Sequence, residues 1–533
     1  MMPSQPTRVR RSLVELQNDH AAGNPKPLDD LMRAWIGIKA LRFDDPRSFF
    51  HLGGYHGEPF RGAGWGDSAY WGGYCNHGNV LFPTWHRVYC LKVEEALQSI
   101  EGCADVMLPY WDEMAPESLE SGIPACLTDE FYTFADGSNV NNPLRSFTFP
   151  VRVADHITSD NNVYTKLAGY ETVRYPLSGL VGTADDQAKT DAHNSQYPDP
   201  VQNNNLLNKN VVNWMQHRFK NGQLLPIGIS WEFEECLKAP NYTVFSNTTS
   251  AQEWNDTTGH EKQVVVPLEQ PHNDIHLAVG GFDVPGSGPD FSPIAGANGD
   301  MGENDTAALD PIFYFHHCNI DRVFWLWQQR NQAQDKLDII EFYPGTNTSD
   351  NQGPTPGFAP NTWLSLDTPL NPFKKTEGDH ERPYTSRDCF NIETQLGYIY
   401  SPGSLAAEPA MLLAKAPETS GRTLHVSRIN KAPLRGSFIV AAYRNSAEGK
   451  ELIGYKSVLS RWDSGSCINC QTHLEVKAAF HIPAPAPAAG LLAAAPETVD
   501  SYSVELITRD HNQPNAHLLA ARLVEKPYRL EIR

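Results

Sequence analysis

The feature that most restricts the fold of this 533-residue chain is a histidine pair near its middle, followed by a double histidine. His272 and His276 are four residues apart in the segment LEQPHNDIH, so on a helix both imidazoles lie on one face. His316 and His317 follow in the segment LDPIFYFHHCNIDR. Three neutral imidazoles with no thiolate or carboxylate among them suit copper, zinc or iron. A lone HxxxH pair is as often part of an ordinary helix surface as of a metal site. The HHxxxDR block further along the chain argues against coincidence here.

A second group of histidines lies in the first hundred residues. His56 stands in GGYHG, His77 in YCNHG and His86 in FPTWHR. Each alone would be more typical of a loop histidine than of a metal ligand. Their order along the chain, three spaced histidines and then HxxxH and HH, is not one that a common structural accident produces. His51 falls outside the GxHG pattern, and we interpret it as structural.

Residues 45–100 and 265–330 resemble tyrosinases and related polyphenol oxidases, type-3 copper proteins that also include haemocyanins. His316 and His317 are about 100° apart on a helix, so only one can easily face a metal, and the family pattern selects the second. The resemblance therefore implies two copper ions as cofactors. The implied ligands are His56, His77 and His86 for CuA, and His272, His276 and His317 for CuB.

The resemblance also implies the fold class, which is mainly α, with a four-helix-bundle copper domain carrying long loops and a smaller β-sandwich or barrel after it. Residues 1–400 are the expected catalytic domain, 401–422 a linker rich in Pro, Ala, Gly and Ser, and 423–533 a β-rich lid domain. Helices are predicted over 83–100 and 310–329 and around His272 and His276. Strands are predicted over 423–429, 436–443, 473–477 and 501–507.

The expected reaction is the ortho-hydroxylation of monophenols by O2 and the oxidation of the resulting catechols to o-quinones. Three neutral ligands per copper ion leave positions open for O2 and substrate, so the metal pair acts as electron store and template. Two alternatives use the same histidines: a catechol or o-aminophenol oxidase without monophenol hydroxylation, and a haemocyanin-like O2 carrier. The expected partners are small phenolic substrates and O2.

Several neighbours of the histidines are expected to tune the site. In family members that hydroxylate monophenols, the residues matching Glu269 and Asn273 hold a water that removes the phenol proton, although a Glu near a helix start is common anyway. The resemblance implies a thioether between Cys75 and His77. Phe313, one turn before the last CuB histidine, should stack beside the copper pair.

Other residues near these motifs have expected supporting roles. Asp321 and Arg322 are interpreted as second-layer residues, with Asp321 accepting a hydrogen bond from a ligand imidazole or a helix neighbour. Asn304 stands where an apolar or small residue is expected, which leaves the substrate preference open. The Tyr398–Tyr400 segment matches a YxY motif that ends the catalytic domain in relatives, and Arg10 or Arg11 should pair with it.

The C-terminal part is expected to cover the active site. Trp462 or Tyr455 is the candidate side chain inserted over the copper ions. Cys467 and Cys470 form a CxxC motif with three interpretations: copper transfer, a local disulfide or half of a zinc site. Transfer is favoured because paired thiolates hold Cu(I), whereas a structural zinc site would need a second such pair.

Charge and cysteine usage exclude some classes of function. The formal net charge of −20 argues against a nucleic-acid or anionic-membrane partner. No segment approaches the ~18 apolar residues of a membrane span, and no secretion signal is visible, so a cytoplasmic protein is expected. Nine widely spread cysteines suit a reducing compartment. An Ala/Pro-rich stretch, 483–496, is a possible homo-oligomer contact.

Overall fold

A computed structural model of the chain describes most residues from 8 onward. The described ranges are 8–57, 73–154, 165–180, 184–216, 228–257, 264–285, 298–351, 357–406, 419–431, 433–434, 436–447, 449–460, 474–483, 498–508 and 528–533.

The first 400 residues are mainly helical, as predicted. The two longest helices, α4 and α12, are apolar or aromatic on most of their surface and are buried on nearly every side, as is α11. Pro83 in the first turn of α4 leaves no amide unsatisfied, because that N–H has no helical partner anyway. Within the described ranges the α-helices are α1 (Leu13–Ala21), α2 (Lys26–Ala40), α3 (Phe49–His56), α4 (Phe82–Gln98), α5 (Pro116–Ser121), α6 (Ala184–Asn194), α7 (Pro200–Met215), α8 (Ile229–Cys236), α9 (Tyr242–Ser246), α10 (Thr248–Asp256), α11 (Glu269–Gly280) and α12 (Ile312–Arg330).

Short strands connect the helices. The first strand, β1, pairs in parallel with β8, so the start of the chain meets the YxY segment. The other pairs, β2 with β3, β4 with β5 and β6 with β7, are antiparallel. These strands are β1 (Arg8–Arg10), β2 (Phe131–Thr133), β3 (Asn139–Asn141), β4 (Val153–Ala154), β5 (Thr165–Lys166), β6 (Pro369–Glu377), β7 (His380–Thr385) and β8 (Tyr398–Tyr400).

The sequence predicted that Arg10 or Arg11 would pair with the YxY segment. In the structure Arg10 does so, and it links the β1–β8 pair to the helical core. Its guanidinium lies 3.7 Å from the ring centre of Tyr398 and donates to the Tyr400 hydroxyl at 3.2 Å. It also donates to Glu94 of α4 at 2.9 Å. Arg10, Glu94 and Tyr398 are fully or nearly fully buried, so losing one of these partners would leave a charge without compensation in the core.

Asp321 of α12 completes this buried network. Its Oδ2 accepts from the hydroxyls of Tyr398 and Tyr400, both at 2.6 Å, and its Oδ1 accepts from Arg87. Burial alone would raise the pKa of Asp321, but Arg87 and Arg10 hold it below its usual value. Asp321 was expected to accept from a ligand imidazole or a helix neighbour, but its donors in the described structure are arginines and tyrosines of other segments.

The C-terminal part is a pair of three-stranded sheets, ordered β11-β10-β13 and β12-β9-β14. Apolar side chains of both sheets share one core, so the arrangement is a sandwich, and the strands that the structure describes do not close into a barrel. Two of its strands, β11 and β14, were not predicted, and β9 begins inside the segment predicted as a linker. The strands are β9 (Thr419–Asn430), β10 (Phe438–Ser446), β11 (Gly449–Val458), β12 (Glu475–Pro483), β13 (Tyr502–Thr508) and β14 (Arg529–Ile532).

The sandwich contacts the helical part through a charged cluster at the end of α10. Asp256 Oδ2 accepts from Lys477 at 3.0 Å, and Oδ1 lies 3.3 Å from His425 Nδ1. Arg533 donates to the Asp256 backbone carbonyl at 2.9 Å. Cationic groups at a helix C-terminus also complement the helix dipole. Burial would raise the pKa of Asp256, but the hydrogen bonds from His425 and Lys477 lower it to about 2.

No helix among the described residues is long and apolar enough to cross a membrane.

Asp256→Asn should lower the free energy of unfolding by about 1–2 kcal/mol at pH 7, allowing for partial exposure of the carboxylate. Because the pKa is lower in the folded state, the stabilisation is present above about pH 4 and is lost as the pH falls toward about 2. Urea unfolding of both proteins between pH 2 and pH 7 measures this difference. The exposed Asp338→Asn is the control, and a wild-type advantage that stays constant with pH would contradict the prediction.

Candidate metal centre

The first histidine group joins the end of α3, a loop and the start of α4. His56, His77 and His86 are buried, and one ring nitrogen of each lies within 4.8 Å of the others. Gly73 allows the loop to approach α3: a Cβ there would lie 2.3 Å from the His56 carbonyl oxygen. His86 Nδ1 lies 2.8 Å from the Phe82 carbonyl oxygen, which can only accept, so His86 Nε2 carries the lone pair.

The second group is formed by α11 and α12. His272, His276, His316 and His317 each contribute a nitrogen to a cluster within 4.8 Å. His276 donates from Nδ1 to the Met301 carbonyl at 2.8 Å, which leaves a lone pair on Nε2. The Nε2 atom of His272 is 3.1 Å from that of His276 and 3.2 Å from that of His317.

This convergence fits a metal ion. His272 Nδ1 is 3.0 Å from the side-chain oxygen of Asn273, so this ring also presents a lone pair on Nε2 toward His276. Two facing lone pairs repel each other unless a cation lies between them. Burial lowers the pKa of every histidine in both groups, that of His77 to about 3, which keeps the rings neutral as metal ligands must be.

The two groups lie side by side. The ring centres of His86 and His317 are 4.5 Å apart and nearly parallel, and those of His77 and His272 are 5.5 Å apart. Phe313 stacks on His317 with a centroid separation of 3.9 Å and meets the edge of His56 at 4.7 Å. The site is therefore binuclear in shape, with an aromatic wall.

His316 is the one histidine of the second group that was not predicted to be a ligand. Its sequence interpretation left it outside the site, but its ring belongs to the same cluster as the three proposed ligands. Its Nδ1 is 2.6 Å from Glu113 Oε1, a residue that the sequence did not single out. Helix geometry separates adjacent side chains, but α12 is buried on nearly all sides, so both histidines lie in the interior.

Glu269 begins α11 and is fully buried. Its Oε1 accepts from the Gly78 amide at 2.7 Å, and its Oε2 accepts from the amide and the hydroxyl of Thr248 at 2.8 and 2.9 Å. Burial raises the pKa of Glu269, and these donors oppose the rise. Asn273 is buried one turn later on the same helix. Thr248 was not predicted, because nothing in its local sequence connects it with residue 269.

Asn351 connects Cys75 with His77. Its side-chain oxygen accepts from the His77 amide at 3.0 Å, and its nitrogen donates to the Cys75 carbonyl at 3.2 Å. Cys75 is buried beside the first histidine group, and the thioether stays a prediction. Asn351 was also missed, because it is far from both residues along the chain.

The remaining predicted residues lie partly inside and partly outside the described ranges. Asn304 is buried, and neither side-chain atom has a hydrogen-bond partner in the described structure. Tyr455 of β11 is buried, with its ring 5.2 Å from that of Trp214. Trp462, Cys467 and Cys470 lie outside the described residues.

The two adjacent groups of neutral imidazoles define a binuclear metal site, and comparison with known proteins identifies the family. The family model described as the common central domain of tyrosinase matches residues 46–330. A tyrosinase of Hahella sp. (strain CCB-MM4) is 53% identical over 502 residues, covering 90% of this chain and 89% of that protein. The Aspergillus oryzae tyrosinase is 44% identical over 515 residues, covering 89% of each chain.

A solved structure agrees over almost the whole length. The Burkholderia thailandensis tyrosinase at low pH superposes with a TM-score of 0.84 and 47% identity, covering 99% of this chain and all of that one. The chain belongs to the tyrosinase family, whose cofactor is a pair of copper ions and whose members act on phenolic substrates with O2.

Removing one histidine from either group should remove one metal ion. We expect His86→Ala and His276→Ala each to retain about one copper ion per chain where the unmodified protein retains about two, because the other group stays intact. Elemental analysis after dialysis measures the ratio, with the exposed His380→Ala as control. Full copper content in either variant would exclude that histidine as a ligand.

Proposed function

We propose that this chain hydroxylates monophenols at the ortho position and oxidises the resulting catechols to o-quinones. The observation that carries the proposal is the convergence of neutral, buried imidazole nitrogens in two adjacent groups. In this proposal His56, His77 and His86 hold one copper ion, and His272, His276 and His317 hold the other. The copper pair supplies the binding of O2 and the exchange of electrons with it.

Glu269 is the proposed base that takes the phenol proton. A buried carboxyl tends to be neutral, but three donors from Gly78 and Thr248 favour its ionised form. It lies one helical turn before His272, and Asn273 follows that ligand directly. Together the carboxylate and the amide can orient a water through which the proton moves to Glu269.

Phe313 is proposed to orient the substrate ring. It already stacks on His317 and meets His56, so it lies where both groups come together. Aromatic rings prefer offset or edge contacts with one another, which suits a phenol entering beside it. This wall favours planar aromatic substrates over aliphatic alcohols.

Replacing Glu269 should separate the two activities. Glu269→Gln keeps the shape but removes the base, so monophenol turnover should fall by about 100-fold or more while catechol turnover changes little. O2 uptake with a simple monophenol and then with a catechol measures both. Glu232→Gln is the matched control, because it makes the same exchange at another buried glutamate, one that has no proposed role in the reaction.

The same assay on the unmodified, copper-loaded protein tests the proposal itself. Turnover of the catechol alone would contradict the hydroxylase assignment and leave a catechol or o-aminophenol oxidase. Turnover of neither substrate, with reversible O2 binding, would indicate a carrier.

The strand-rich part, from about residue 423, is proposed to be a separate domain that covers the site. Its strand β11 packs against α11, the helix that carries two of the proposed ligands, and Tyr455 faces Trp214 and the carboxyls of Glu232 and Asp274. Tyr455 or Trp462 remains the proposed plug, and Cys467 and Cys470 the proposed copper-transfer pair.

Loosening this cover should raise phenol turnover severalfold. Ending the chain after about residue 405 removes the cover, and Lys477→Met weakens its contact with Asp256 while keeping the chain complete. Steady-state O2 uptake compares both with the unmodified protein. If neither variant gains activity, the strands are a structural module and not a lid.

A further inference from the structure

A buried carboxyl–imidazole pair lies behind the second histidine group. Glu113 Oε1 and His316 Nδ1 are 2.6 Å apart, and Asn319 donates to Glu113 Oε2 at 3.0 Å. Glu113 and His316 are both completely buried. Glu113 follows the Tyr110–Asp112 segment, so the pair connects a loop of the helical core with α12.

Glu113 has no arginine or lysine partner among the ion pairs of the described residues. A carboxyl group without a cation is costly to bury unless hydrogen bonds satisfy it. Both of its oxygens are used, one by the ring of His316 and one by the amide of Asn319. The hydrogen bond to Nδ1 restrains rotation of the imidazole about its own axis.

The ring held in this way touches all three proposed ligands of the second copper ion. It stacks on His272 with a centroid distance of 5.3 Å and an interplanar angle of 23°. It meets His276 nearly at right angles at 5.3 Å, and His317 at 5.1 Å. Its ring contacts within the described residues are all with this group and not with the first one.

We propose that Glu113, acting through His316, positions the rings of His272 and His276 and so sets the copper affinity of the second group alone. The proposal rests on the ligand assignment made under the proposed function. Rings already held in their binding orientation lose less freedom when the ion binds, which raises affinity. Residues behind metal ligands act in this way in many sites. Glu113 and His316 are thus positioning residues.

The test uses the full chain, stripped of metal and titrated with Cu(II) in the presence of a competing chelator. Glu113→Leu removes the acceptor, and we expect the second copper ion to bind about tenfold more weakly or worse while the first is unchanged. Glu113→Gln can still accept from His316 and should restore most of the affinity. His193→Gln replaces a buried histidine whose partner is the Pro176 carbonyl, and should bind both ions as the unmodified chain does.

Electron paramagnetic resonance gives a second readout. Two coupled Cu(II) ions are silent, whereas a chain holding only the first ion shows a signal of about one spin per chain. Glu113→Leu should show this signal at copper levels where the unmodified chain is silent. If that variant does not fold, Asn319→Ala removes one hydrogen bond from Glu113 and should weaken the same ion to a smaller extent.

Two results would overturn the proposal. One is unchanged affinity for both ions in Glu113→Leu and Asn319→Ala, and the other is equal weakening of both ions, which would indicate a general structural role. Failure of the unmodified chain to bind two coupled ions would instead contradict the ligand assignment.

Discussion

Neutral imidazoles with their lone pairs turned toward one another are the constraint around which this fold is organised. His276 and His272 face each other through Nε2 atoms 3.1 Å apart, an arrangement that is repulsive until a cation enters. The surrounding protein must therefore hold these rings in place against the repulsion between their lone pairs. It does so with acceptors on the far side of each ring, such as the carbonyl of Met301 and the amide oxygen of Asn273.

Holding the imidazoles in place requires polar partners, so the helical core contains buried polar groups. Carboxyls such as Glu113, Glu269 and Asp321 are completely or almost completely buried, and each is satisfied by hydrogen bonds from a different part of the chain. Burial keeps the histidines uncharged, and the same burial would neutralise a base. Gly78 and Thr248 donate to Glu269 and oppose the rise of its pKa, whereas the carboxyl of Asp274 beside Glu232 adds to the rise of the Glu232 pKa.

Local patterns in the sequence were enough to predict α4, α11 and α12, three of the helices that carry histidines of the two groups. Four-residue spacing places His272 and His276 on one face of α11 wherever that helix packs, and proline marks the start of α4. Contacts between distant segments were not predictable in this way. Thr248 meets Glu269, and Asn351 meets Cys75, only after the chain has folded.

The remaining differences have physical causes of the same kind. His316 was set aside as a ligand and stays outside the proposed ligand set, but its ring lies in the second cluster because α12 is enclosed on nearly all sides. Strand β11 was missed because lysine, glutamate and two glycines interrupt its apolar alternation. Its hydrogen-bonded partner β10, which has a continuous apolar run from Phe438 to Tyr443, was found from the sequence.

The pairing of β1 with β8 brings the two ends of the helical part together. Its first strand lies in parallel with its last, and the Ser401 amide donates to the Arg10 carbonyl just beyond them. The residues after 401 begin beyond this pairing, which is complete without them. Trimming the first ten residues would therefore open the helical part at this pairing, whereas the sandwich is held by separate contacts, those of β11 with α11 and of Lys477 with Asp256.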